Sequence, residues 1–191
     1  MASRREMPLY VTKPSALLSV LGSTFIIVDM CRRWKKAELK WSTRHRLIIG
    51  MCLFDICGST AWFIGTWAMP QDERRIVGNV GTWGTCEAQG FFVQLVLGAV
   101  LYNSALALYY FLVIRQGWSE ERVSRKVEPF MHIFSVLIAF TFAIVGLSKN
   151  LYNPSRWRCW IAKYPRRCEQ SFENNGVSTC IRGDNADLYR R

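Results

Sequence analysis

Apolar residues gather into blocks separated by charged segments, instead of alternating with polar residues as they do along amphipathic elements. The clearest block runs without a charge from Ala88 to Ile114. It is longer than the ~20 residues that an α-helix needs to cross the hydrocarbon of a bilayer. Lipid offers no hydrogen-bond partner to an exposed backbone amide, so the block must be helical. We therefore expect Cys86 and Arg115 to lie at opposite faces of a membrane.

Three further blocks have the length and apolar character of membrane spans. The first contains one charge, Asp29, three and four residues before Arg32 and Arg33, which predicts an ion pair on one helix face. The last carries a stripe of small residues that favours close helix packing, namely Ala139, Ala143 and Gly146. The sequence predicts an all-α membrane protein whose four transmembrane helices cover residues 14–31, 47–69, 88–114 and 129–148.

Charge predicts the orientation of the spans. The loop 32–46 carries seven Lys or Arg against one Glu, and the positive-inside tendency makes such a loop cytoplasmic. The tail is also basic, but that tendency weighs short loops more than long tails. We expect a plasma-membrane protein with a second cytoplasmic loop at 115–128 and with outer segments at 1–13, 70–87 and 149–191.

The formal net charge of +11 does not indicate nucleic-acid binding, because most of the positive residues flank apolar blocks. No phosphate-binding glycine loop, metal-ligand cluster or nucleophile motif is present in the sequence. We therefore expect no enzyme activity, no cofactor and no metal, and we expect the lipid bilayer as the main partner.

Polar side chains within the spans are the candidate functional residues. Asp55 falls near the middle of the second span, where a carboxylate costs ~2.5–3.5 kcal/mol, so it should face the bundle or water. It is either a hydrogen-bonded packing residue or an ion, proton or switch site. Asn103 is expected to make a bundle-facing hydrogen bond, with Asp55 as a candidate partner, whereas Gln94 lies nearer the outer face. His132 is expected to make a packing or head-group contact.

Seven cysteines divide between two environments. Cys31, Cys52 and Cys57 lie in or beside apolar blocks. The other four lie outside them and can pair if they share an oxidising compartment: Cys86, Cys159, Cys168 and Cys180. Four cysteines allow three pairings. Four spans with outer cysteines are compatible with a four-helix membrane scaffold or with a thiol-redox membrane protein.

Several of these features together resemble the first half of a seven-helix G protein-coupled receptor. They are the four spans, the cysteine at the outer end of the third span, and the Cys159-Trp160-Ile161 segment after the fourth. The chain is most similar to the cyclic-AMP-receptor-like group, related to the secretin-like (family 2) receptors. Residues 46–55, RLIIGMCLFD, are similar to the second-helix pattern of that group, with its intramembrane aspartate.

The resemblance implies transmembrane signalling for an unknown outer ligand, with a heterotrimeric G protein as the partner of a complete form. It implies a disulfide from Cys86 to Cys159, and to this we add Cys168 to Cys180 as a second predicted pair. Arg44, Arg46 and Arg115 are the candidate cytoplasmic contacts. The third span departs from rhodopsin-like receptors because it lacks an Asp-Arg-Tyr triplet at its inner end. Helices five to seven are absent from the sequence, which predicts an incomplete receptor.

Overall fold

The structure is a computed structural model that describes residues 7–36, 41–73, 76, 78–164, 180–183 and 186. Its elements, in chain order, are α1 (Met7–Lys35), α2 (Thr43–Ile64), α3 (Trp83–Gln94), α4 (Val96–Tyr110), α5 (Glu120–Lys126), α6 (Glu128–Ser148), β1 (Tyr152–Pro154) and β2 (Cys159–Ile161). A 3₁₀ turn, Gly65–Ala68, extends α2, and a π-helical turn, Phe111–Arg115, extends α4.

The described residues contain four helical segments that are long and apolar enough to cross a membrane, which confirms the predicted fold class. They are Thr12–Lys35, Thr43–Ala68, Trp83–Arg115 and Glu128–Ser148. Each begins before the predicted span, because a helix can continue into the polar interface once its apolar length has crossed the hydrocarbon. The third joins α3 to α4 through Leu95, whose backbone is also α-helical.

Two of the predicted loops contain regular structure. The segment 115–128 includes α5, whose first turn is capped by the Ser119 side chain accepting from the Arg122 amide. The tail 149–191 includes a hairpin in which β1 and β2 pair antiparallel, with Asn153 opposite Trp160. We call the end of the bundle that carries this hairpin the disulfide end, and the end that carries α5 the Glu128 end.

Large apolar side chains cover the outside of the bundle. Leu18 and Phe25 on α1 are 69% and 72% exposed, and Phe130 on α6 is 71% exposed. In water such a surface would be costly, whereas lipid tails solvate it. The exposed apolar surface therefore agrees with a membrane protein.

Glycines let α2 and α4 approach closely. A Cβ added at Gly58 would lie 2.0 Å from the Val96 side chain, and one at Gly98 would lie 2.5 Å from the Phe54 ring. Each helix thus receives a large side chain of its neighbour over a glycine. Close approach of this kind increases van der Waals contact, which is the main attraction between helices in lipid.

Tyr152, at the start of the hairpin, is fully buried between α3 and α6. Its ring lies over Gly90, where an added Cβ would come within 2.4 Å, and its hydroxyl lies over Gly146, at 2.3 Å. The hydroxyl donates to the Ala143 carbonyl at 3.0 Å. The predicted small stripe on α6 is buried, which confirms that prediction, and it receives this tyrosine.

We expect Gly146→Ala to destabilise the protein by roughly 1–3 kcal/mol, because the new methyl group would overlap a tyrosine that is enclosed by two helices. Thermal unfolding in detergent, followed by circular dichroism, measures the change. Gly22→Ala is the matched control, since an added Cβ there meets nothing within 4 Å and alanine favours the helix. Equal melting temperatures for the two variants would contradict the close packing of Tyr152 against Gly146.

Candidate functional site

Asp55 lies in a cluster of hydroxyl groups between α1 and α2. One carboxylate oxygen accepts hydrogen bonds from Ser19 Oγ at 2.8 Å and from Ser23 Oγ at 2.6 Å, and the other accepts from Ser59 Oγ at 3.3 Å. Ser19 and Ser23 are one helical turn apart, so a single face of α1 presents both. The cluster gives the intramembrane carboxylate three donors, and Asp55 faces the bundle as expected.

Asn103 does not make the expected bundle-facing contact. It lies on the exposed side of α4, while the neighbouring Tyr102 is buried against α2. Adjacent residues on a helix differ in direction by about 100°, so the helix cannot bury both side chains in the same seam. Two of the three donors to Asp55 come from α1 instead, because α1 packs directly against α2.

A second polar cluster closes the Glu128 end. The Glu128 side chain is only 8% exposed and forms an ion pair with Arg46 through both guanidinium Nε and Nη2. Thr43 Oγ1 donates to Glu128 at 2.9 Å, and Arg46 Nη2 donates to Ser124 Oγ at 3.0 Å. The cluster therefore ties α2 to α5 and α6.

His132 and Tyr102 extend this cluster toward α4. The Tyr102 hydroxyl lies 2.8 Å from His132 Nδ1, and His132 Nε2 lies 3.6 Å from Glu128. The histidine makes a packing contact, as predicted. Among the residues that the structure describes, no group of three His, Cys, Asp or Glu side chains could hold a metal ion.

The three predicted cytoplasmic arginines have different surroundings. Arg44 and Arg115 are exposed at the Glu128 end. Arg46 is engaged with Glu128, so its guanidinium is a structural group and is not available to a partner in this state. The sequence could not show this, because Glu128 is 82 residues away.

At the disulfide end, Cys86 at the start of α3 is bonded to Cys159 of β2, as the resemblance implied. Gln89, one turn later on the same face of α3, is 3% exposed. Its amide group donates to the Ala61 and Gly65 carbonyls at 2.9 and 2.7 Å, and its carbonyl accepts from the Cys159 amide at 2.8 Å. Gln89 thus joins the end of α2 to the hairpin.

Gln89 was not among the residues that the sequence singled out. The available signal was its spacing of three from Cys86, which places both side chains on one helix face. Gln94, which was singled out, accepts a hydrogen bond from Trp160 Nε1 at 3.1 Å. The predicted Cys168–Cys180 pair includes Cys168, which lies outside the described residues, and it stays a prediction.

Asp29 and Arg33 form the predicted ion pair, with 2.9 Å between carboxylate and guanidinium.

Comparison of the chain with protein-family models, with curated proteins and with solved structures finds no match. The function is therefore proposed from the arrangement of the residues themselves.

We expect Arg46→Gln to lower the free energy of unfolding by roughly 1–3 kcal/mol, because it leaves the buried Glu128 carboxylate without its counter-charge. Arg125→Gln is the control, since the Arg125–Glu121 pair is about 80% exposed and such pairs contribute little. Chemical or thermal unfolding in detergent measures both changes. In the Arg46→Gln/Glu128→Gln double variant the loss should be smaller than the sum of the single losses. Strict additivity would contradict a direct pair.

We expect the Ser19→Ala/Ser23→Ala double variant to lose roughly 1–3 kcal/mol of stability, because Asp55 would keep only the Ser59 donor. Ser15→Ala is the control on the same helix, since its hydroxyl donates only to the Thr12 carbonyl. Adding Asp55→Leu to the double variant should recover part of the loss, as it removes the unsatisfied carboxylate. An unchanged melting temperature in the double variant would contradict this role for the serines.

Proposed function

We propose that the chain is a G protein-coupled-receptor-like integral membrane protein in which the four spans correspond to helices one to four of the receptor bundle. The disulfide end faces outward in this proposal, and the Glu128 end faces the cytoplasm. The proposal rests on the residues of the two ends, since four apolar helices alone are common to many membrane proteins.

The observation that carries the proposal is the joint at the disulfide end. The Cys86–Cys159 bond ties the third span to the segment after the fourth, as it does in the receptors that the sequence resembles. The indole that follows Cys159 is bonded to Gln94 of the same span. A contact made there by an outer ligand would act directly on the third span. A scaffold would not need this coupling.

The Glu128 end supplies the second support. Arg44 and Arg115 are exposed there at the ends of two different spans. Exposed basic side chains can attract an acidic partner surface without a large desolvation cost. The Arg46–Glu128 cluster beneath them joins three helices, so a helix movement on the outer side would have to rearrange it.

Nucleotide exchange on purified heterotrimeric G proteins tests the proposal. The full chain in nanodiscs should accelerate GTP-for-GDP exchange by at least one G protein class, because both of the loops that the proposal places in the cytoplasm belong to it. The Arg44→Glu/Arg115→Glu variant should lower the acceleration severalfold, since it reverses the charge that the partner would meet. Arg156→Glu, exposed at the opposite end, should leave it unchanged.

Exchange that is unaffected by the wild-type chain, for every G protein class, would favour the membrane scaffold instead. Impermeant biotin ester on intact cells checks the orientation separately. It should label Lys149 at the disulfide end and should not label Lys36 at the Glu128 end. Labelling of Lys36 alone would reverse the topology and exclude the proposed arrangement.

A further inference from the structure

A small cleft opens at the disulfide end, between the start of α1, the end of α2 and the turn of the hairpin. Two of its lining side chains are cationic, Lys13 and Arg158, and two are indoles, Trp62 and Trp157. The Cys86–Cys159 bond does not line it. Of its lining residues, only Gly65 belongs to a polar cluster described above, through the carbonyl that accepts from Gln89.

Both cations lie over aromatic rings. Lys13 Nζ is 3.4 Å from the centroid of the Trp67 ring, and Arg158 Cζ is 3.5 Å from that of Trp62. The face of an indole attracts a cation, but it carries no net negative charge. Two cations lining one cleft repel each other, and this repulsion is not neutralised by the rings.

Arg158 differs from the other part-buried arginines. Arg46 has Glu128 as its counter-ion and Arg182 has Glu87. Among the ion pairs between described residues, none includes Arg158 or Lys13. The Nε atom of Arg158 is buried and has no hydrogen-bond partner. A guanidinium that is removed from water and lacks a carboxylate is costly unless another group supplies the charge and the acceptor.

Burial lowers the pKa of Arg158 to about 10, because the charged form has lost hydration. A bound anion would oppose this effect by favouring the charged form. The direction of the pKa change is therefore the one expected of a site where none of the described residues supplies a counter-ion.

We propose that this cleft binds an oxyanion, either a phosphate or a carboxylate group, through Arg158 and Lys13. Guanidinium groups bind both kinds of oxyanion with charge-assisted hydrogen bonds. The indoles of Trp62 and Trp157 would then contact the carbon skeleton that carries the anion. The cleft is small, so the anionic group would enter it and the rest of the ligand would lie at its mouth.

Two sources could supply this chemistry at the end of a membrane span, a lipid head group and a soluble ligand. If the chain is the receptor proposed above, its outer ligand would carry a phosphate or carboxylate group. Only this statement about the ligand rests on the proposed function. Binding itself does not depend on signalling, and it is measured without a G protein.

The test titrates inorganic phosphate, and acetate in parallel, into the purified full chain in a phosphate-free detergent at constant ionic strength. Tryptophan fluorescence follows binding, because two indoles line the cleft. We expect a saturable change for at least one anion. Arg158→Gln and Lys13→Gln should each weaken binding about tenfold or more, since each removes one charge-assisted contact. Arg156→Gln, exposed on the same hairpin, should bind as the wild type does.

Arg158→Lys keeps the positive charge but removes the buried Nε donor. Its affinity for the anion should therefore lie between those of Arg158→Gln and the wild type. An intact Cys86–Cys159 bond by peptide mapping shows that each variant keeps the hairpin. Repeating the titration in phospholipid nanodiscs distinguishes the sources. Anion binding that persists in nanodiscs indicates a soluble ligand. Anion binding that disappears in nanodiscs indicates a lipid head group, provided that native mass spectrometry finds phospholipid retained by the wild type and lost from Arg158→Gln.

Absence of saturable binding in detergent, or equal affinities for wild type and Arg158→Gln, would overturn the proposal. Saturable binding with no effect on nucleotide exchange would keep the anion site and remove its link to signalling. The two proposals can therefore fail independently.

Discussion

A polar group inside a bilayer cannot form hydrogen bonds with water. The polar contacts between these helices follow from that constraint. The Asp55 carboxylate is met by hydroxyls of α1 and α2, which makes it a point of attachment for α1. The Glu128 carboxylate is met by Arg46 and Thr43, which attaches α6 to α2. Because neither acid can remain unpaired, each determines which helices lie side by side.

Close packing supplies most of the attraction between the helices, whereas the polar contacts decide which helices are neighbours. Lipid tails are as apolar as the side chains they solvate, so helices gain little from burying leucine and more from approaching closely. Gly58 and Gly98 provide such approaches between α2 and α4, and Gly90 and Gly146 provide them around Tyr152. The tyrosine thereby connects the bundle to the hairpin that lies on it.

The two ends of the bundle are held together by different means. At the disulfide end a covalent bond and the Gln89 hydrogen bonds fix the hairpin to α3 and α2. At the other end the connection is an ion pair with its hydrogen-bonding neighbours, and such a connection can exchange partners without breaking a covalent bond.

Length and apolar character were enough to predict the four spans, because a bilayer imposes a minimum helix length that can be counted along the sequence. Local spacing was enough for the Asp29–Arg33 pair and for the small stripe on α6. The Cys86–Cys159 bond came from a resemblance, since four cysteines permit several pairings.

Contacts between distant residues were decided only by the tertiary structure. Periodicity shows that Asp55 must face a neighbour, but the rotation of α4 decides that Asn103 points away from it. Arg46 looked like an exposed basic residue until Glu128, far along the chain, was placed beside it. Sequence distance carries no information about which helix lies next to which. The partners of buried charges, such as Glu128 for Arg46, are therefore known only once the helices have packed.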